Sequence, residues 1–218
     1  NRWFDTDLDV IAWNQDGVLI LRNEVTAEGT RTLTPLAQSS TVSGIQDLGA
    51  ADLEADGDLD LIFATTTGLV LWKNIDGKTF EPIVEGVSLP QHSISGVAIG
   101  DFNRDMAMDV VGVSNDGKSG WLQNMLHGRF RWLEGLPCPE GSSDVLLDEL
   151  NGDGRWDIIT TGPSGTATIL PKNTDSFAEA LTENVSSAEG RSLVRADLDN
   201  DGRSDFLVAG PQKLVILR

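Results

Sequence analysis

The sequence predicts an all-β fold, a β-propeller built from five repeats of about 48–51 residues. Three observations carry this expectation: an acidic loop that recurs at nearly constant spacing, a second signal in phase with it, and strand-length apolar runs without helical periodicity. The loop is complete in DLDNDGRSDFLVAG at 197–210 and recurs as DLEADGDLDLIFAT at 52–65, DFNRDMAMDVVGVS at 101–114 and ELNGDGRWDIITTG at 149–162. A worn copy, NRWFDTDLDVIAWN, starts the chain. Aligned on their last acid the copies give Asp9, Asp60, Asp109, Asp157 and Asp205, at intervals of 51, 49, 48 and 48 residues. A constant period of this length is the signature of a repeat architecture.

The second signal is an Asn that closes an apolar run after each loop: GVLILRN ends at Asn23, GLVLWKN at Asn74, SGWLQN at Asn124 and TATILPKN at Asn173. Asn tolerates left-handed backbone, so a role in ending the hairpin strand is expected. Within the third repeat the runs are ISGVAIG (94–100), DVVGVS (109–114), SGWLQN (119–124) and RFRWLE (129–134). Rich in Val, Ile, Leu and Trp and bounded by Gly, Asn and Asp, they read as four short strands. Four strands per repeat is the arithmetic of a propeller blade. The first repeat lacks its inner strand and the last stops at KLVILR, before an outer one, for about 18 strands in all. DSFAEALTEN, 175–184, is placed at an outer strand, with a short helix as its alternative. One blade is too small to bury a core, so each must stack on its neighbours. Residues 1–218 are expected to form a single propeller domain, either a five-bladed ring with reduced ends or a section of a larger ring.

Numbered from its first acid, the complete loop holds Asp197, Asp199, Asp201, Gly202 and Asp205 at positions 1, 3, 5, 6 and 9. Alternate side chains of a tight loop can converge, and hard oxygen donors suit Ca²⁺, which accepts six to eight of them. Position 7 would add a backbone carbonyl, here that of Arg203. Gly at position 6 permits the positive φ of a sharp turn. The matching candidates are Asp52, Glu54, Asp56, Asp58 and Asp60; Glu149, Asn151, Asp153, Arg155 and Asp157; and Asp101, Asn103, Asp105 and Asp109. The loop at 101–109 has Met106 where Gly is wanted, and Arg104 brings a positive charge. The first copy keeps only Asp5, Asp7 and Asp9, which argues against metal there. For every loop the alternative is a metal-free acidic turn. An EF-hand is excluded, because position 12 is Phe63, Gly112, Thr160 or Val208 instead of Glu and a β run follows.

These residues resemble the FG-GAP/VCBS repeat of integrin α-chain propellers and of many secreted bacterial proteins. The resemblance covers essentially the whole chain in five units and is carried by the D-x-D-x-D-G-x-x-D loop. It implies that the loop joins a blade's innermost strand to the next, with Ca²⁺ inside the hairpin. Clear Phe-Gly and Gly-Ala-Pro segments are missing, so the bacterial VCBS-like branch is the better match.

A net charge of −18 argues against a nucleic-acid partner, which selects basic surfaces. No apolar run is long enough to span a bilayer, so a soluble chain without membrane insertion is expected. The chain opens at Asn1, so a missing leader is uninformative. Cys138 is the only cysteine and reads as a turn residue. The chain has no Tyr, two His (His92 and His127) and Lys only at 73, 78, 118, 172 and 213, with no cluster of base and cation in one repeat. The leading functional expectation is therefore a non-catalytic module that binds a protein or glycan outside the cytoplasm: extracellular, at the cell surface or in the periplasm. A calcium-dependent polysaccharide lyase and a purely structural spacer within a larger protein are the alternatives. Trp13, Trp72 and Trp121 are expected in the core, whereas Trp132 and Trp156 are candidates for stacking on a sugar or partner.

Overall fold

The computed structural model describes residues 8–14, 17–39, 42–77, 79–173, 176–177, 181–183 and 190–217. The strands are β1 Val10–Asn14, β2 Gly17–Val25, β3 Arg31–Ser39, β4 Ile45–Ala51, β5 Asp60–Thr65, β6 Gly68–Ile75, β7 Thr79–Pro82, β8 Val87–Ser88, β9 Gly96–Gly100, β10 Asp109–Val113 and β11 Gly120–Asn124. They continue as β12 Phe130–Glu134, β13 Asp144–Asp148, β14 Asp157–Gly162, β15 Gly165–Ile169, β16 Pro171–Asn173, β17 Ser176–Phe177, β18 Leu181–Glu183, β19 Ser192–Ala196, β20 Asp205–Ala209 and β21 Leu214–Leu217. No helix occurs among the described residues. β17 and β18 fall in the 175–184 stretch, the rest of which lies outside the described residues.

Five main sheets follow one another along the chain: β1-β2-β3, β4-β5-β6-β7, β8-β12-β11-β10-β9, β13-β14-β15-β18 and β19-β20-β21, with β16-β17 as a separate ribbon. Pairing is antiparallel except where β8 runs parallel to β12. The strand count exceeds the sequence expectation because short outer pieces such as β8, β16 and β17 carry too few residues to show a pattern.

The sheets stack because the middle strands are apolar on both faces. Side chains alternate across a strand. On β5, Leu61 and Phe63 join Val18, Ile20, Val42 and Trp72 against the first sheet, whereas Ile62 and Ala64 join Ile94, Val110 and Leu122 against the third. On β10, Val110 faces the second sheet, and Val111 and Val113 pack with Val145, Ile158 and Ile169 of the fourth. On β14, Ile158 points back and Ile159 forward, to Leu193, Phe206 and Val208 of the fifth. On the far faces of the first and fifth sheets, Val10 and Leu33, and Val194, Leu214 and Ile216, are exposed among the described residues.

Inner strands β4, β9, β13 and β19 lie side by side in that order. Two carboxylates tie them. Asp47 on β4 accepts the Val97 N–H of β9 at 2.8 Å, and Asp144 on β13 accepts the Leu193 N–H of β19 at 2.7 Å. Burial raises the pKa of both, offset in part by the N–H groups they accept.

The aromatic expectations are partly corrected. Trp72 and Trp121 are buried, but Trp13 is 41% exposed near the end of β1. Trp132 lies against the glycines of β10 and β11: a Cβ on Gly120 would come 2.6 Å from its ring. That close packing makes it part of the fold and not a free stacking surface.

Cys138 lies outside the strands, in a tight bend where its N–H donates to the Leu136 carbonyl at 2.8 Å, and its side chain joins the core between the third and fourth sheets, with the thiol pushed up to about 12 by burial. Since the thiolate is the nucleophile, alkylating reagents at neutral pH should leave Cys138 unmodified in folded protein and label it fully after denaturation, as read by intact mass.

Candidate metal centre

The four good loops share one lattice of side-chain to backbone hydrogen bonds. The position-1 carboxylate receives the N–H groups of positions 5 and 6: Asp52 from Asp56 and Gly57 at 3.1 and 2.9 Å, Asp101 from Asp105 and Met106 at 3.0 Å each, and Asp197 from Asp201 and Gly202 at 3.2 and 3.0 Å. Glu149, one methylene longer, instead receives Gly152 at 2.6 Å and Asp153 at 3.0 Å. Position 3 receives the position-5 N–H in Asn103, Asn151 and Asp199. Position 5 receives the position-7 N–H: Asp56 from Asp58, Asp105 from Ala107, Asp153 from Arg155, and Asp201 from Arg203. Each loop thus coils around its own carboxylates.

This coil needs left-handed backbone at two positions. Position 6 has φ of +94° at Gly57, +70° at Met106, +72° at Gly154 and +84° at Gly202, as the Gly pattern predicts. Position 4 is also left-handed, at Ala55 (+59°), Arg104 (+66°), Gly152 (+78°) and Asn200 (+58°), and the mixed residue types there hid the requirement.

The last Asp of each loop is the anchor. Asp60, Asp109, Asp157 and Asp205 are all buried. Each accepts the position-2 N–H through Oδ2: from Leu53 at 2.9 Å, Phe102 at 3.2 Å, Leu150 at 2.8 Å and Leu198 at 2.8 Å. The recurrent Asn supplies a second donor. Its backbone N–H reaches the Oδ1 of Asp9 from Asn23 at 2.9 Å, of Asp60 from Asn74 at 2.9 Å, and of Asp109 from Asn124 at 2.8 Å. None of the three is left-handed, and Asn23 and Asn74 sit inside β2 and β6, which corrects the strand-ending role expected for those two; Asn124 is the last residue of β11 and takes the Leu126 N–H on its Oδ1 at 3.0 Å, as a turn residue does. Their amides act instead: Asn74 donates to the Leu59 carbonyl at 3.1 Å, and Asn124 to the Leu53 carbonyl of the preceding loop at 2.7 Å.

Burial raises the pKa of Asp60 and Asp157 and pushes Asp109 up to about 7, against the opposing pull of the N–H groups they accept. The nearby loop acids Asp56, Asp105 and Asp153 push in the same direction.

Carboxylate oxygens of Asp197, Asp199 and Asp205 all lie within 4.8 Å of one another, the one such group among the described residues. Two oxygens on opposite sides of an ion at 2.3–2.6 Å are about 5 Å apart, so this spread and this all-oxygen donor set fit Ca²⁺. Asp201 stands outside the trio and holds the Arg203 N–H. In the loop at 52–60, Lys73 from β6 pairs with Glu54, and its ammonium lies 3.6 Å from Asp56, with Glu54 raising the lysine pKa. Arg104 reaches across to the Gly154 carbonyl of the loop at 149–157. Asp5 and Asp7 lie outside the described residues.

Two outcomes are expected. An L-residue in left-handed backbone costs roughly 1–2 kcal/mol, and a new glycine returns roughly 0.4–1 kcal/mol of that through the unfolded chain. Met106→Gly should therefore stabilise the protein by up to about 1 kcal/mol in urea unfolding, whereas Gly202→Ala, which meets no atom within 4 Å, should destabilise it through backbone strain alone. The second outcome concerns pH. With the folded Asp109 at about 7, the calcium-free folded state holds a proton that the unfolded state has released. Stability from this group is full below the unfolded carboxylate value and is lost as pH rises through the folded one. Melting in chelator should give a higher Tm at about pH 6 than at about pH 8, and Asp109→Asn should reduce that slope.

A family model described as FG-GAP-like repeat matches residues 52–112 and 149–208, more than half of the chain. In fold the chain is similar to an Agrocybe aegerita lectin whose structure is described as the basis of specific recognition of non-reducing terminal N-acetylglucosamine. The TM-score is 0.59 at 18% identity, over 91% of this chain and 56% of the lectin. It is similar also to BBS1N, solved in complex with ARL6DN and soaked with lead, with a TM-score of 0.57 at 12% identity over 95% and 60%. A Lactobacillus plantarum protein gives a TM-score of 0.51 at 13% identity over 94% and 64%. The chain therefore spans 56–64% of the length of these solved structures. No curated protein sequence matches it. With the repeat matched over 52–112 and 149–208, and the sheets themselves stacked in order, the chain belongs to the FG-GAP-like repeat family.

Proposed function

We propose that the chain is a calcium-stabilised, non-catalytic binding module working outside the cytoplasm, with a protein or a glycan as its ligand. The observation that carries this reading is the convergence of Asp197, Asp199 and Asp205 in a loop whose hydrogen-bond lattice recurs in three other blades. In the complete loop the ligands are Asp197, Asp199, Asp201, the Arg203 carbonyl and Asp205. The corresponding residues of the loops at 52–60, 149–157 and 101–109 offer further sites. A cation there would balance carboxylates that otherwise repel one another across a few ångströms.

The non-catalytic reading is supported by what the reactive side chains are doing. Cys138 is sealed in the core. The Nε2–H of His92 donates to the Lys118 carbonyl at 3.0 Å, and its ring packs edge-on against Trp132. His127 sits in the left-handed turn that joins β11 and β12. The location is part of the proposal: if the sites bind at about 0.1 mM, in the range of extracellular calcium modules, they would stand nearly empty in a cytosol. A glycan is the first ligand class to try, because a lectin shares this fold.

At about 1 mM free ion, a site of about 0.1 mM affinity adds roughly 1.4 kcal/mol by linkage. Ca²⁺ should raise the Tm over that in chelator, Mg²⁺ should do so less, and Asp201→Ala should reduce the gain. Identical melting curves in chelator and calcium would reduce the loops to acidic turns. A glycan array and a pull-down from a surface proteome, each with and without calcium, then identify the ligand, and turnover of an acidic polysaccharide that disappears in His92→Ala would overturn the non-catalytic reading.

A further inference from the structure

The loop at 52–60 is the most acidic of the four, with Asp52, Glu54, Asp56, Asp58 and Asp60 in nine residues. On charge alone it should be the readiest to gather its oxygens around a cation. Its carboxylates nevertheless do not come within 4.8 Å of one another as a group of three, whereas those of the loop at 197–205 do. The difference coincides with one side chain. Lys73 lies on β6, one residue before the recurrent Asn74, and its ammonium is paired with Glu54 and sits 3.6 Å from Asp56, the side chains at positions 3 and 5.

The residue before the recurrent Asn differs from repeat to repeat: Arg22, Lys73, Gln123 and Lys172. Arg22 points elsewhere, to the Gly77 carbonyl at 2.7 Å and toward Glu24. Gln123 is neutral and accepts from Arg131 at 3.0 Å. The Lys172 side chain lies outside the described ones; among those described at this place, Lys73 is the one whose charge lands on its own loop. It is about one-third exposed, so it has room to swing away into water.

Resting on the calcium reading above, we infer that Lys73 is a tethered counter-ion that competes with calcium for the loop at 52–60. For Glu54 and Asp56 to turn onto a shared ion, the ammonium must leave both. A cation held by the fold competes at constant effective concentration, and a positive charge left nearby repels a divalent ion as well. The loop at 52–60 is therefore a conditional site. Lysine offsets part of its charge, at Glu54 and Asp56, at low calcium, and calcium displaces the lysine only at concentrations above those that fill the loop at 197–205. The protein eases the repulsion in one blade without metal and gains a second, weaker calcium response.

The test uses the full chain with calcium chloride as the only probe. The backbone amides of Gly57 and Gly202, each bonded to its loop's first carboxylate, serve as separate NMR reporters. In the wild type, Gly202 should titrate at lower calcium than Gly57. Lys73→Met, which keeps the apolar stem, should move the Gly57 midpoint to about tenfold lower calcium and leave Gly202 unchanged. In chelator, the same variant should melt below the wild type, because the carboxylates lose their balance. Lys73→Gln provides the same readings if the Met variant folds poorly. An unchanged Gly57 midpoint alongside a normal Gly202 titration would overturn the role of Lys73 and leave the calcium reading standing. A wild-type Gly57 that titrates before Gly202 would do the same. If neither amide responds to calcium, the calcium reading falls and this inference falls with it.

Discussion

A buried carboxylate at the end of each acidic loop is the constraint on which the rest depends. Asp60, Asp109, Asp157 and Asp205 start the second strand of their sheets and fold the loop back by holding its second N–H. In the second and third blades the recurrent Asn brings the third strand to the same side chain. One residue thus fixes three segments of a blade. A carboxylate buried among apolar strands is unfavourable unless its oxygens are satisfied. The loop lattice supplies N–H donors, and a cation at the loop mouth would complete the compensation. The same residue therefore links the fold to the proposed cation site.

The second strand, launched from this anchor, explains the assembly. It is apolar on both faces because it is the layer between two neighbours, and its alternating side chains serve one sheet on each side. Polar ties then set the pitch between blades: Asp47 to Val97, Asp144 to Leu193, and Asn124 to Leu53. Because such ties join main-chain atoms of one blade to side chains of the next, the acidic loops are mechanically connected through the inner strands. Arg104 adds a direct link between two loops.

Much of this was legible in the sequence, since two independent patterns ran in phase: the spacing of Asp9, Asp60, Asp109, Asp157 and Asp205, and the Asn that trails each loop. The propeller, the order of its strands and the side chains of the acidic loops all follow from that register. What stayed hidden had no recurring residue type to mark it. Left-handed backbone at position 4 is carried by Ala, Arg, Gly and Asn in turn. Asp47 and Asp144 occur in only two repeats, where Gly96 and Ser192 stand at the corresponding places of the others. The Asn was visible but only half read: Asn124 does close its strand, yet turn preference says nothing of a backbone N–H aimed at a carboxylate. Lys73 was hidden by distance: it lies on another strand, and only the hairpin brings it to Glu54. Trp13 shows the limit of reading aromatics as core, for among the described residues its sheet packs against the second sheet on one face only.

Whether the acidic loops are built around a divalent cation or merely tolerate their charge is open to one direct experiment. The direct measurement is anomalous diffraction from crystals of this chain soaked in calcium and collected at a wavelength where calcium scatters anomalously. The account predicts a peak bounded by the carboxylates of Asp197, Asp199 and Asp205, with oxygen distances of about 2.3–2.6 Å. Intact loops with no anomalous peak at any of the four, in crystals soaked at millimolar calcium, would contradict it.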